Sequence, residues 1–303
     1  MRLPSRRTGL GLKGEGLVVG LMLITFSMLL FQSAFAGDQD YVHDLEQWQE
    51  ATVPPASRSG ERMAWFFAAN YSNSEWRVYL EEGKPSASYS RIPSNNRPER
   101  PDFVPKANQF HGGGRCTKVE DGWLVGFNQG EFGAALYWFS NDGTRNYKVS
   151  DHQVVNFVTL PDGVYAVEGL AHMGISRGSI IRIARNKASD RWEATTVADL
   201  PFAPYAVVLR RDGTMLITLS GALVSFGSDQ KVHMLLSDAP WGGLYPNSSL
   251  LSPDEQRLYI GMRQFVGEFD LKTNQMRLLI PSIEFLNRLP KDDEERIRKQ
   301  YGG

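Results

Sequence analysis

The sequence predicts an all-β fold built from a repeated four-stranded unit, and two periodic observations predict it. Aromatic or branched residues that close an apolar run just before a turn recur as Phe139, Ile183, Phe226 and Phe269, spaced 44, 43 and 43 residues apart. A tight turn recurs in the same phase, as Asp121-Gly122, Asp162-Gly163, Asp212-Gly213 and, degenerately, Pro253-Asp254-Glu255. Short apolar runs punctuated by Asp, Asn and Gly read as strands joined by turns, because these residues accept the backbone angles that hairpins need.

Residues 122–149 are the clearest copy. An apolar run at 123–127 follows the Asp-Gly turn, a Gly-rich loop leads to a second run at 135–139, and Asn141-Asp142-Gly143 precedes a third at 147–149. Asn-Asp-Gly is a hairpin signal of the type I′ kind, since its residues tolerate positive φ. Further apolar runs at 154–160, 206–209 and 248–251 precede the later turns, so each unit holds four strands. A rougher copy spans 62–67 and 76–80, with Ser59-Gly60 at its turn, which makes five units. Four strands in about 43 residues resembles the blade of β-propeller repeat proteins in general, in which each sheet is buried only by its neighbours in a ring. The resemblance covers residues 58–281, lacks a regular Trp-Asp dipeptide, and implies five visible blades in a ring of five to seven. It carries a fold and no activity.

Taken in order, residues 1–36 read as a signal peptide: Arg2, Arg6, Arg7 and Lys13, an apolar stretch at 17–31, then Ala34-Phe35-Ala36 as the cleavage site. Export to a periplasmic or secreted location follows, with no stable membrane insertion once the segment is removed. An uncleaved anchor is the alternative, although the apolar stretch falls short of the roughly 20 residues that a span needs. Arg6-Arg7 partly resembles a twin-arginine export signal, with ordinary secretory export the other route. Residues 37–57 read as a leader helix and linker, with Tyr41, Leu45 and Trp48 near helical spacing before Pro54-Pro55. The propeller occupies 58–281, interrupted by a Pro- and Asn-rich insertion at 93–109, and 282–303 read as a C-terminal helical tail whose acids precede its bases.

Charge is balanced, 33 basic against 34 acidic residues, with no basic stripe outside the first segment, so a nucleic-acid partner is not expected. Cys116 is the single cysteine, which excludes an internal disulfide and reads as a small buried hydrophobe. Asn70-Tyr71-Ser72 and Asn247-Ser248-Ser249 are glycosylation sequons that matter in a eukaryotic host only.

Strand alternation locates function. Connections between first and second strands, and third and fourth, share one face of the ring and are uniformly tight. The remaining connections share the other face and vary in length and chemistry, the expected place for binding groups on a rigid scaffold. Candidates there are His111, Asn128, Glu131, His152, His172, Arg177, Trp241 and Tyr245, with Trp241 and Tyr245 read either as a stacking surface or as a loop pinned by a buried indole. Two functional readings follow. The first is an exported, non-enzymatic propeller that binds a protein, peptide or glycan on this long-loop face. The second is a metal-dependent hydrolase, similar to lactonase-type propellers, using Glu131, Glu168, Asn128, His111 and His172 in the central channel. Histidine spacing gives the second no metal motif. The sequence leaves any cofactor unknown, and His111-Gly112-Gly113-Gly114 is not a phosphate cradle, because no helix pattern follows it.

Overall fold

The computed structural model describes residues 42–72, 74–89, 99–104 and 113–283. The expected signal peptide, most of the 93–109 insertion, His111 and the tail beyond 283 lie outside them. The described chain runs β1 (Gln49–Glu50), α1 (Ser59–Asn70), β2 (Trp76–Glu81), β3 (Lys84–Tyr89), β4 (Gly113–Val119), β5 (Gly122–Asn128), β6 (Ala134–Ser140) and β7 (Asn146–Ser150). It continues through β8 (Val154–Leu160), β9 (Gly163–His172), β10 (Ile175–Asn186), β11 (Arg191–Leu200), β12 (Pro204–Leu209), β13 (Met215–Leu219), β14 (Leu223–Phe226) and β15 (Val232–Leu236). The last strands are β16 (Ser248–Leu251), β17 (Arg257–Gly261), β18 (Val266–Asp270) and β19 (Gln275–Ile280).

These strands form five antiparallel sheets: β4 to β7, β8 to β11 and β12 to β15 as four-stranded meanders, β16 to β19 with β1 added at the outer edge, and the hairpin β2–β3. Successive first strands are neighbours, β4 beside β8, β8 beside β12, β12 beside β16 and β16 beside β2, which places them around a common axis. The fold is a β-propeller. Phe139, Ile183, Phe226 and Phe269 all lie on third strands and are buried, so the 43-residue period is the period of inter-blade packing.

Local chemistry explains the repeated turn. A Cβ on Gly122 would stand 2.0 Å from the Phe139 carbonyl oxygen, so only glycine lets β5 approach β6 at this point. The Asn141-Asp142-Gly143 hairpin is present as a longer connection, 141–145, rather than a two-residue type I′ turn. Ser140 Oγ donates to Asp142 Oδ1 at 2.6 Å and accepts from the Arg145 amide at 3.0 Å, which holds the wider loop.

Two N-terminal expectations are corrected. The rough first copy is not a strand at 62–67: residues 59–70 form α1, where Ala, Met and Arg favour a helix and the apolar face covers the last blade. Trp65 stacks on Phe265 with centroids 4.9 Å apart, and Ala69 joins a buried cluster with Trp241, Leu244 and Phe265. The leader is not a helix beyond a three-residue 3-10 turn at Leu45–Gln47, capped by the Asp44 carboxylate. Instead it is extended and ties two blades together. The Ala87 amide of β3 donates to the His43 carbonyl at 2.9 Å, while Gln49 and Glu50 pair with Ile280 and Leu279 of β19. Trp48 packs edge-on against Trp76 at 4.8 Å. An unpaired edge strand is a liability, and this strap covers the outer edge of β19.

Candidate functional site

The long-loop face is most structured where the sheets β4 to β7 and β8 to β11 meet. After β5, Asn128 Oδ1 accepts from the Gly130 amide at 2.8 Å and starts a 3-10 turn, Gly130–Phe132, which Gly133 at φ 115° ends. Sequence reading treats 169–177 as a loop; in the structure β9 and β10 extend through it to a two-residue turn, Met173-Gly174, with φ 46° and 86°. Paired positive φ values match the twist of the strands, so the hairpin stays regular to its tip. At that tip His172 Nε2 pairs with Glu131 Oε2, joining the hairpin to the 3-10 turn of the preceding blade.

Between the linker 151–153 and strands β9, β10 and β11 lies a polar crevice of about 440 Å³, lined by Asp151, His152, Gln153, Glu168, Arg177 and Ser179 among others. Its organising residue is Gln153, which sequence reasoning missed. The Gln153 side chain donates to the Gly130 carbonyl at 2.6 Å and accepts from Arg177 Nη2 at 3.1 Å. Its amide donates to Glu168 Oε2 at 3.3 Å, and Ser179 Oγ donates to Glu168 Oε1 at 2.6 Å. Glu168 is buried, and these two donors satisfy its carboxylate oxygens. His152 Nδ1 lies 2.8 Å from Ser150 Oγ, and Asp151 pairs with Lys148, whose ammonium is held above its usual range by that hydrogen bond. Nothing in the sequence marks Gln153 except its place in the linker between two units, directly after His152.

The structure therefore gathers His152 and Arg177 into one crevice, and Gln153 ties it to the turn that carries Glu131, itself paired with His172; Asn128 bonds the Gly130 amide of that turn and does not line the crevice. Trp241 and Tyr245 do not line it. The stacking-surface reading of Trp241 is corrected: the indole is fully buried and donates to the Leu219 carbonyl at 2.8 Å, because its ring fills the core beneath α1. Tyr245 remains half-exposed at φ 51°, with the Arg263 guanidinium 4.5 Å from its ring centroid. Three apolar side chains stand out in solvent next to the Glu131–His172 pair: Phe132 at 81%, Met173 at 89% and Ile175 at 53% exposure. A larger concavity of about 640 Å³ lies between α1 and residues 238–243, lined by Met63, Phe66, Phe67 and Pro240, and holds none of the candidates.

For the hydrolase reading, His111 lies outside the described residues, and the four described candidates each already have a partner. Glu131 and His172 pair with each other, Glu168 accepts two internal hydrogen bonds, and Asn128 caps a turn. Among the described residues no three His, Cys, Asp or Glu side chains converge as metal ligands. No helix among them is long and apolar enough to cross a membrane.

No protein-family model and no curated protein matches the chain. Solved structures do. Virginiamycin B lyase from Staphylococcus aureus is 19% identical over 58% of this chain and 58% of its own, with a TM-score of 0.40. A gluconolactonase from Xanthomonas campestris is 13% identical over 55% of this chain and 56% of its own, with a TM-score of 0.36. PorZ, a surface component of the type-IX secretion system of Porphyromonas gingivalis, is 9% identical over 68% of this chain and 31% of its own, with a TM-score of 0.38. The chain thus spans a little over half the length of the lyase and the lactonase.

Proposed function

We propose that the chain is an exported binding protein that docks a protein or peptide partner on its long-loop face, over the crevice between the linker 151–153 and the β8–β11 sheet. The observation that carries this reading is the exposed trio Phe132, Met173 and Ile175, held on two rigid elements beside a polar crevice. Large apolar side chains exposed to water gain their burial on docking, the arrangement expected of an interface centre with a polar rim. A glycan has less support, because no aromatic side chain lines the crevice to stack on a sugar ring. Export rests on the character of residues 1–36.

The test selects peptides from a displayed library against the chain starting at Gly37, then measures their affinity for Phe132→Ser/Met173→Ser and for Arg177→Ala. The double variant should weaken binding by about tenfold or more, since a central interface residue is worth at least roughly 1 kcal/mol. Peptides that bind the double variant and wild type alike would remove the reading, as would a glycan array giving the only ligands.

A further inference from the structure

α1 has an apolar side that its packing on the last blade does not use. Seven consecutive residues, Met63 to Ala69, are apolar. That run makes almost two turns and so leaves no polar side, whereas a helix lying on a protein surface ordinarily keeps one. Trp65 and Ala69 turn inward, to Phe265 and the buried cluster around it. Met63, Phe66 and Phe67 instead line the concavity of about 640 Å³, and Met63 is 60% exposed. Across from them the wall is kept low by glycine. Gly242 and Gly243 line it, and a Cβ on Gly243 would meet nothing nearer than Asn70 Cγ at 4.0 Å, so the room beside the two Phe rings is open.

The same concavity holds one oriented cation. Arg62 lines it, and its Nη1 donates to the Pro54 carbonyl at 2.8 Å while the guanidinium carbon lies 5.3 Å from the Phe66 ring centroid. These two contacts fix the group, yet it has no acidic partner among the described residues. Glu61 beside it pairs with Arg58, and Asp238 on the other wall is exposed and makes no ion pair with it. The remaining N–H groups of Arg62 suit a carboxylate, and Ser59, which opens α1, lines the same end, where the helix dipole adds to the positive field. From Arg62 to Asn70 the concavity follows α1 for about 12 Å. We propose that it binds a free medium-chain carboxylate, with Arg62 holding the carboxylate and the aliphatic chain lying over Met63, Phe66 and Phe67 towards Gly243. A concave, mostly apolar space of this size with a few placed polar groups is the form of a small-ligand site. Met63, flexible and polarizable, gives an aliphatic chain an adaptable wall.

Isothermal titration calorimetry tests this, with octanoate below its micellar range as the probe and octanol and octylammonium as probes of the same length. Octanoate should bind wild type saturably at one site, at least about tenfold more tightly than either comparator, since a hydrogen bond to a charged group is worth about a factor of ten or more. Arg62→Gln should remove that preference and bind octanoate no better than octanol. Gly243→Val should fill the open room and lose all three probes, while melting close to wild type. Arg62→Gln also loses the bond to Pro54; if it fails to fold, Gly243→Val, which only adds atoms, decides alone. No saturable octanoate binding by wild type, equal affinity for octanoate and octylammonium, or octanoate affinity unchanged in either variant would overturn the proposal. A wild-type dimer in light scattering that Met63→Ser makes monomeric would also overturn it, by giving the apolar side to a second copy of the chain. Peptide docking at Phe132, Met173 and Ile175 is measured on separate residues, and its failure leaves this result untouched.

Discussion

The two faces of the ring are built by different means. On the tight-turn face one device repeats: Asp142, Asp212, Asp229, Asp254 and Asp270 each accept from the amide two residues on, at 3.1, 2.9, 3.2, 3.1 and 2.9 Å. Hydrogen bonds to these carboxylates hold all five below the usual carboxylate range. The opposite face has no shared device. Its connections are a capped 3-10 turn, a hairpin tip at positive φ and, in the last blade, the segment Met262 to Phe265 buried beneath α1. The same topological position is thus 89% exposed at Met173 and fully buried at Phe265. Local hydrogen bonds fix one face whatever lies around it; the other takes its form from what packs on it, and where nothing packs it offers a surface.

The largest effect should come from breaking the covered half. Trp241→Ala removes a fully buried indole and its bond to Leu219, and should destabilise the fold by roughly 3–5 kcal/mol. For a domain of this size that lowers the melting midpoint by about 2–4 °C per kcal/mol. A loss under about 1 kcal/mol, read by denaturant unfolding, would show that α1 does not seal this half and would blur the contrast.

Next comes Asp121, whose Oδ1 accepts from the indoles of both Trp138 and Trp192 at 3.0 Å, one on its own blade and one on the next. The tight-turn face is therefore also stitched between blades. Asp121→Leu leaves two largely buried donors without an acceptor and should destabilise by on the order of 1–3 kcal/mol for each. Asp121→Asn keeps an acceptor oxygen and should lose much less. Equal losses in the two variants would assign the effect to the turn and not to the indoles.

The turn aspartates give a pH signature. Asp142 is lowered to about 2 by the Ser140 hydroxyl and by Thr144, against an unfolded value of about 3.9. A depressed carboxylate stabilises the fold above its unfolded value, and that contribution fades as pH falls from about 4 towards 2. Asp142→Asn combined with Asp254→Asn and Asp270→Asn should therefore be less stable than wild type at pH 7. The gap should narrow towards pH 2.5. A gap of constant size across that range would mean that the carboxylates are not charged partners in these turns.

How much of this was legible in the sequence follows from the same contrast. Asp-Gly turns and the Phe139, Ile183, Phe226 and Phe269 period are local signals, and the blades they announce are present. Residues 62–67 carry an apolar run that suits a strand or a buried helix equally, and only packing on Phe265 decides for α1. The leader misleads for a similar reason: its aromatic spacing is near-helical, yet the open edge of β19, more than 220 residues away, recruits it as a strand. At the site, His152, Arg177, Glu131 and His172 were visible as polar residues on the varied face. Gln153, which binds three of the surrounding groups, has no motif, because its role arises from two blades meeting.

The smallest effect on stability should come from the exposed trio, and this makes it the sharpest test of the open half. Phe132 and Met173 already lie in water, so Phe132→Ser/Met173→Ser removes almost no buried area and should shift stability by no more than about 0.5 kcal/mol per site. Glu131→Gln supplies the control, since it weakens the tie to His172 without touching the apolar side chains. It should increase proteolytic nicking at 129–133 relative to wild type, while the double variant should not. If the double variant melted well below wild type, these side chains would be part of the packing of the first blade junction. The open half would then differ from the half under α1 in degree only, and the long-loop face would lose its claim to be a surface built for a partner.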